Sequence, residues 1–136
     1  MQVQPYLSFE GRCEEALEFY KKALGAEVTQ LLRMKDSPEQ KPGMMPPGAE
    51  KKVLHASFRI GETTLGASDG SCSGKPIFAG VSLSLSPRTG AEAERLFAAL
   101  AAGGQVQVPL MKTFFTSHFG MVADRFGVPW MIAVAS

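Results

Sequence analysis

The chain carries its own echo. Leu7, Phe19, Gly25 and Val28 recur 78 positions later as Leu85, Phe97, Gly103 and Val106. Arg59-Ile60-Gly61 returns 66 positions later as Arg125-Phe126-Gly127, which makes Arg59 and Arg125 equivalent positions of the repeat. The fall in spacing from 78 to 66 assigns about twelve extra residues to the first copy, and they fit between Asp36 and Lys51. Two copies of one unit imply two similar modules packed side by side, with a shared cavity as the natural place for function.

At 136 residues the chain is expected to form one domain, made of modules at about 1–70 and 78–136. A hydrophobic content of 45% and a charged content of 20% belong to an ordinary globular protein. The net charge of +1 comes from scattered lysines and arginines. No phosphate-neutralising patch is visible, which argues against nucleic acid as a partner. No apolar run approaches the roughly 20 residues of a membrane helix, and the start lacks a signal-peptide pattern, so the expected location is cytoplasmic. Cys13, at the start of a helix, could be a reactive thiol or a small buried residue; Cys72 sits in a Gly/Ser loop.

The first module reads as strand, helix and three strands. Val3 to Phe9 alternates, with Val3, Leu7 and Phe9 on one face and Gln4, Tyr6 and Ser8 on the other. Cys13 to Leu24 places Ala16, Leu17, Tyr20, Ala23 and Leu24 at helical spacing, with Gly25 as the cap. Strands are expected at Ala26–Met34, Val53–Ile60 and Thr63–Ser68. Within the second of these, Leu54, Ala56, Phe58 and Ile60 oppose His55, Ser57 and Arg59. The Pro/Gly-rich stretch from Asp36 to Lys51, with Met44-Met45-Pro46-Pro47, is expected to close over the cup or reach a partner. The second module repeats the order: a strand at Val81–Ser86, a helix at Ala91–Ala102, and strands at Gln105–Met111, Phe119–Asp124 and Pro129–Ala135. Each helix must cover one apolar sheet face, which leaves a polar face carrying Gln4, Tyr6, His55, Ser57, Arg59, Ser82 and Ser84.

The fold class is therefore α+β, two tandem βαβββ modules forming a cupped mixed sheet. This layout resembles the vicinal oxygen chelate (glyoxalase-like) superfamily. Pro5-Tyr6-Leu7-Ser8-Phe9, Cys13 through Tyr20, His55-Ala56, Ser68-Asp69, Pro109-Leu110, Thr113-Phe114 and Phe119 through Trp130 resemble its PhnB-like branch, also labelled 3-demethylubiquinone-9 3-methyltransferase-like. Phe115 and Thr116 depart from the branch's usual Trp and Gly, so a different cavity rim is expected. The glycines are spread over turns rather than gathered into a nucleoside-binding loop, so no cofactor for methyl transfer is expected.

Superfamily members that do metal chemistry place His and Glu ligands on the first and last strands of each module. The candidates here are Gln4, Pro5 and Tyr6; Leu65 and Gly66; Val81 to Ser84; and Trp130 and Met131. None is His, Glu, Asp or Cys, so the resemblance implies the fold without the superfamily's metal. His55 is the candidate catalytic residue, as a base or hydrogen-bond partner, against the alternative of a histidine bonded across the sheet. Tyr6, Ser57, Arg59, Ser82, Ser84 and Trp130 are the candidate cavity residues. Tyr6 and Trp130 read either as an aromatic wall or as core. Arg59 and Arg125 could grip an anion, and Asp124 beside Arg125 suggests a structural pair. Glu10 and Asp69, at strand ends, could act as acids or could satisfy turn N–H groups. His118 reads as a solvated loop residue.

Three functions remain open from these residues: a metal-independent binder of a small molecule, a lyase, isomerase or dioxygenase on a small oxygenated substrate, and a drug-sequestering resistance protein. A homodimer is expected from the resemblance and from the sheet edges.

Overall fold

A computed structural model describes residues 1–38 and 48–135, so the Met44-Met45-Pro46-Pro47 segment lies outside the described residues. The chain divides into two compact units, Met1–Pro76 and Ile77–Ser136.

The first unit runs β1 (Tyr6–Ser8), α1 (Cys13–Leu24), β2 (Glu27–Arg33), β3 (Val53–Ile60) and β4 (Thr63–Ser68). Its sheet has the order β1-β4-β3-β2, with β1 parallel to β4 and the other pairs antiparallel. Helix α1 forms where the sequence places it. Ala16, Leu17, Tyr20 and Ala23 make a buried stripe, Glu14 and Glu15 fill the first turn, and Lys21 and Lys22 fill the last. Gly25 ends it at φ 67°, and the N–H groups of Gly25 and Ala26 close on the carbonyls of Lys21 and Tyr20. The N-terminus has no side-chain cap from Arg12. The buried Asp69 at the end of β4 supplies it instead, accepting the Cys13 N–H at 2.7 Å and the Val53 N–H at 2.6 Å.

Strand register assigns the faces. Leu7 pairs with Ala67, Ala67 with Ala56, and Leu65 with Phe58. All five are buried, and Tyr20 of α1 stacks on Phe58 at 6.1 Å, so this is the helix side. Each fully buried side chain such as Leu17 or Phe58 contributes about 1.5–3 kcal/mol. Tyr6, Gly66 and Ser57 form the next row and face away from α1. Strand β1 is shorter than expected: Val3 lies before it and is 92% exposed.

The second unit runs β5 (Leu83–Leu85), α2 (Gly90–Ala101), β6 (Gln105–Met111), β7 (Phe119–Ala123) and β8 (Pro129–Ala133). The sheet order β5-β8-β7-β6 repeats the first topology. Thr89 caps α2 by accepting the Glu92 N–H at 3.1 Å. Leu83, Trp130 and Val122 share a row, as do Leu85, Ile132 and Gly120. A Cβ on Gly120 would meet the Phe97 ring of α2, so these rows lie on the helix side. Ser84, Met131 and Met121 form the row on the opposite side.

Two expectations need correction here. Ser82 lies just before β5 (Leu83–Leu85) and so falls outside the strand that was expected to carry it. Arg59 and Arg125 are not structural equivalents. Arg59 is inside β3, opposite Thr64, whereas Arg125 lies in the turn after β7. The first hairpin turns on two residues and the second on a longer loop, so the Arg-x-Gly echo is shifted against the strand register. Among the described residues, no helix is long and apolar enough to cross a membrane.

Candidate functional site

The open side of the first sheet gathers three of the expected residues. Tyr6 starts on β1 and reaches across β4 to β3. It can do so because its β4 neighbour is Gly66: a Cβ there would lie 2.5 Å from the Tyr6 ring. The ring stacks on His55 with centroids 5.7 Å apart and an interplanar angle of 17°. The Tyr6 hydroxyl lies 3.0 Å from His55 Nδ1, and the Ser57 hydroxyl lies 3.3 Å from His55 Nε2. The imidazole is therefore held at both nitrogens, by hydroxyls that can each donate or accept. Tyr6 is 54% exposed and His55 is half-buried, so the chain of groups is open to a ligand.

Among the described residues, Arg59 and Glu10 beside these groups are engaged within the protein. The Arg59 guanidinium donates to Glu27 at 2.7 Å. Glu10 follows β1 and accepts the Ser8 hydroxyl at 2.5 Å and the Ser71 N–H at 3.0 Å. Its carboxyl is held below the usual 4.5, first by Ser8, then by Ser73 and the Ser71 N–H. Gln30 on β2 is the register partner of Ser57 and shares its side of the sheet. Sequence reading missed it because a bulge between Val28 and Gln30 resets the alternation of β2.

Trp130 is not a cavity wall. It is 2% exposed on the helix side of β8, and its indole Nε1–H donates to Asp124 at 2.9 Å. Asp124 is itself buried and also accepts the N–H groups of Phe126 and Val128. Ser84 lies on the open side of the second sheet, beside Met131 rather than a polar partner. Arg125 donates to the Ala102 carbonyl at the end of α2. His118 is less solvated than expected: its ring covers Gly90, with Nδ1 2.9 Å from Ser117 and Nε2 3.5 Å from Glu94. Cys13 is fully buried, and burial, then Asp69 and Glu14, push its thiol up to about 12, in keeping with a packed residue. A depression of about 390 Å³ lies in the second unit, between residues 112–117 and Val134-Ala135. Phe115 stands at its rim in T-shaped contact with Phe114 and Phe119.

The family model described as 3-demethylubiquinone-9 3-methyltransferase matches residues 1–133. The chain belongs to this family. Protein YjdN of Escherichia coli (strain K12) is 38% identical over 98% of this chain and 95% of its own. Protein PA1353 of Pseudomonas aeruginosa is 42% identical, with a TM-score of 0.84 over 98% of this chain and 97% of that one. The PhnB protein of Bacillus cereus is 28% identical, with a TM-score of 0.80 over 99% and 100% of the two chains. The fold alone extends to a glyoxalase-related enzyme and a fosfomycin-resistance protein, at 20% identity or below.

The metal of the vicinal oxygen chelate superfamily would need donors on the open side of the outer and last strands. In this family member those positions are Tyr6 and Ser8 on β1, Thr64, Gly66 and Ser68 on β4, Ser84 on β5, and Pro129, Met131 and Ala133 on β8. The set has hydroxyls and a thioether but no carboxylate, imidazole or thiolate, and it does not fit a hard divalent cation. Among the described residues, no three His, Cys, Asp or Glu side chains gather to hold a metal.

Proposed function

We propose that the open face of the first sheet binds a small, uncharged, oxygen-bearing molecule without a bound metal. The observation that carries this reading is the hydroxyl–imidazole–hydroxyl chain of Tyr6, His55 and Ser57. A neutral imidazole offers one donor and one acceptor, and each hydroxyl offers both. Such a chain can reverse its direction to suit a carbonyl, a hydroxyl or an amide. The neighbouring Arg59 and Glu10 are engaged within the protein, so they favour no ligand of either charge. The family description names methyl transfer, but the turn from β1 into α1 carries a single glycine, Gly11, and does not resemble a nucleoside-binding loop. No step is assigned to such a cofactor.

The proposal includes a cytoplasmic homodimer. Each four-stranded sheet has two edge strands within its own unit, and a second copy is one way to cover them. Sedimentation at micromolar concentration should give twice the chain mass; a monomer would remove this part.

The test is a thermal-shift screen of uncharged hydroxy, keto and amide compounds on the native chain and on Tyr6→Phe, His55→Ala and Ser57→Ala. Compounds that raise the native melting temperature should lose their effect in the variants. Stabilisation by a stoichiometric divalent metal, carried through purification and removed by chelator, would overturn the reading.

A further inference from the structure

We infer that Ser57 is a nucleophile for acyl groups, with His55 as its general base and Tyr6 as the residue that positions the base. The inference rests on the reading of this face as the binding site and adds a reaction to it. Nucleophilic serine needs a base within hydrogen-bond reach and a third group that orients the base. Ser57 has His55 Nε2 at 3.3 Å, and the far nitrogen of the same ring meets the Tyr6 hydroxyl at 3.0 Å. When Nδ1–H donates to Tyr6, Nε2 carries the free lone pair and faces Ser57. The stacked Tyr6 ring holds the imidazole in that plane. The other serines on this face are committed elsewhere: Ser8 donates to Glu10, and Ser68 accepts the Gly70 N–H. Gln30 is the register partner of Ser57 on β2, and we assign its amide as the candidate donor to a developing oxyanion.

The chemistry balances with groups on the page and water. Ser57 Oγ adds to the carbonyl carbon of an ester, and its proton moves to His55 Nε2. The tetrahedral adduct collapses, the bond to the leaving oxygen breaks, and the proton on Nε2 passes to that oxygen. Water then adds to the acyl-serine with His55 taking its proton, and the proton returns to Ser57 Oγ as the acid departs. The substrate class is a small neutral ester, since Arg59 and Glu10 are already engaged within the protein.

The test uses the full chain with two probes, a fluorophosphonate and p-nitrophenyl acetate, and locates adducts by peptide mass spectrometry. The expected result is a single adduct on Ser57, absent in Ser57→Ala and formed at least about tenfold more slowly in His55→Gln, since general bases contribute about a hundredfold or more. Tyr6→Phe should keep the adduct but move the pH midpoint of its formation, which a purely structural role would not do. Melting scans establish that each variant is folded. No adduct in the folded native chain, an adduct on another residue, or equal rates in His55→Gln would overturn the inference. Thermal-shift hits that persist in a chain taking no adduct would remove the nucleophile and leave the binding reading standing. Loss of the hits as well would remove both.

Discussion

Tyr6 and His55, 49 residues apart in the chain, meet with their rings near parallel and with hydroxyl and ring nitrogen 3.0 Å apart. The contact exists because Gly66 leaves a gap between them, on the strand that separates theirs. Gly66→Ala should therefore act on the site before it acts on the fold. The added methyl meets the exposed Tyr6 ring, which can swing away, so the stability loss should stay near 1 kcal/mol. The His55 ring resonances should shift by NMR and ligand stabilisation should fall to the level of Tyr6→Phe. A variant with native His55 resonances would show that the gap does not position Tyr6.

Asp124 should be among the most sensitive positions of the second unit. Asp124→Ala leaves two buried backbone N–H groups and the Trp130 indole short of an acceptor, at about 3 kcal/mol or more. Trp130→Phe removes only the indole donor and should cost about 1–2 kcal/mol. Urea unfolding measures both. Trp130→Phe should leave ligand stabilisation unchanged, because Trp130 lies on the helix side of its sheet.

The two thiols should separate cleanly. Cys13 is buried with its thiol pushed up to about 12, whereas Cys72 is exposed. An aromatic disulfide reagent should titrate one thiol in the native chain and two in denaturant. Cys72 should react slowly near neutrality, because partial burial and Asp69 raise its pKa as well. Two fast native equivalents would mean that the α1 N-terminus opens readily.

Acid should destabilise the first unit through Glu10 and Glu14. Ser8, Ser73 and Ser71 hold Glu10 below 4.5, and Arg33 holds Glu14 below it. A carboxyl depressed on folding stabilises fully above its unfolded pKa and loses that contribution as pH falls through the folded value. The urea midpoint should thus be flat from about pH 7 to pH 5 and drop below about 4.5. Glu10→Gln should make the drop shallower; an unchanged slope would show that the serine contacts do not hold the anion.

Period-two patterning made much of the first module legible. In β3, Ala56 and Phe58 are buried while His55, Ser57 and Arg59 take the other side, as the alternation requires. The α1 stripe and the Gly25 cap were equally readable, because helical spacing and a left-handed glycine are local signals. In β8 the run Pro129-Trp130-Met131-Ile132 is apolar throughout, so nothing local told Trp130 from Met131; only register with Val122 did. The convergence of Tyr6, His55 and Ser57 needed the parallel pairing of β1 with β4, a non-local fact. A glycine inside an otherwise regular strand, Gly66, was the one sequence signal that could have suggested it.

In both units the first strand hydrogen-bonds to the last. During synthesis β1 therefore leaves the ribosome long before its partner exists, and Tyr6 has no ring to stack on until β3 and β4 have emerged and paired. The Tyr6-His55-Ser57 chain is therefore completed late in the synthesis of its module. A nascent chain halted before Gly66 carries every side chain of the Tyr6-His55-Ser57 chain yet lacks the strand that brings them together.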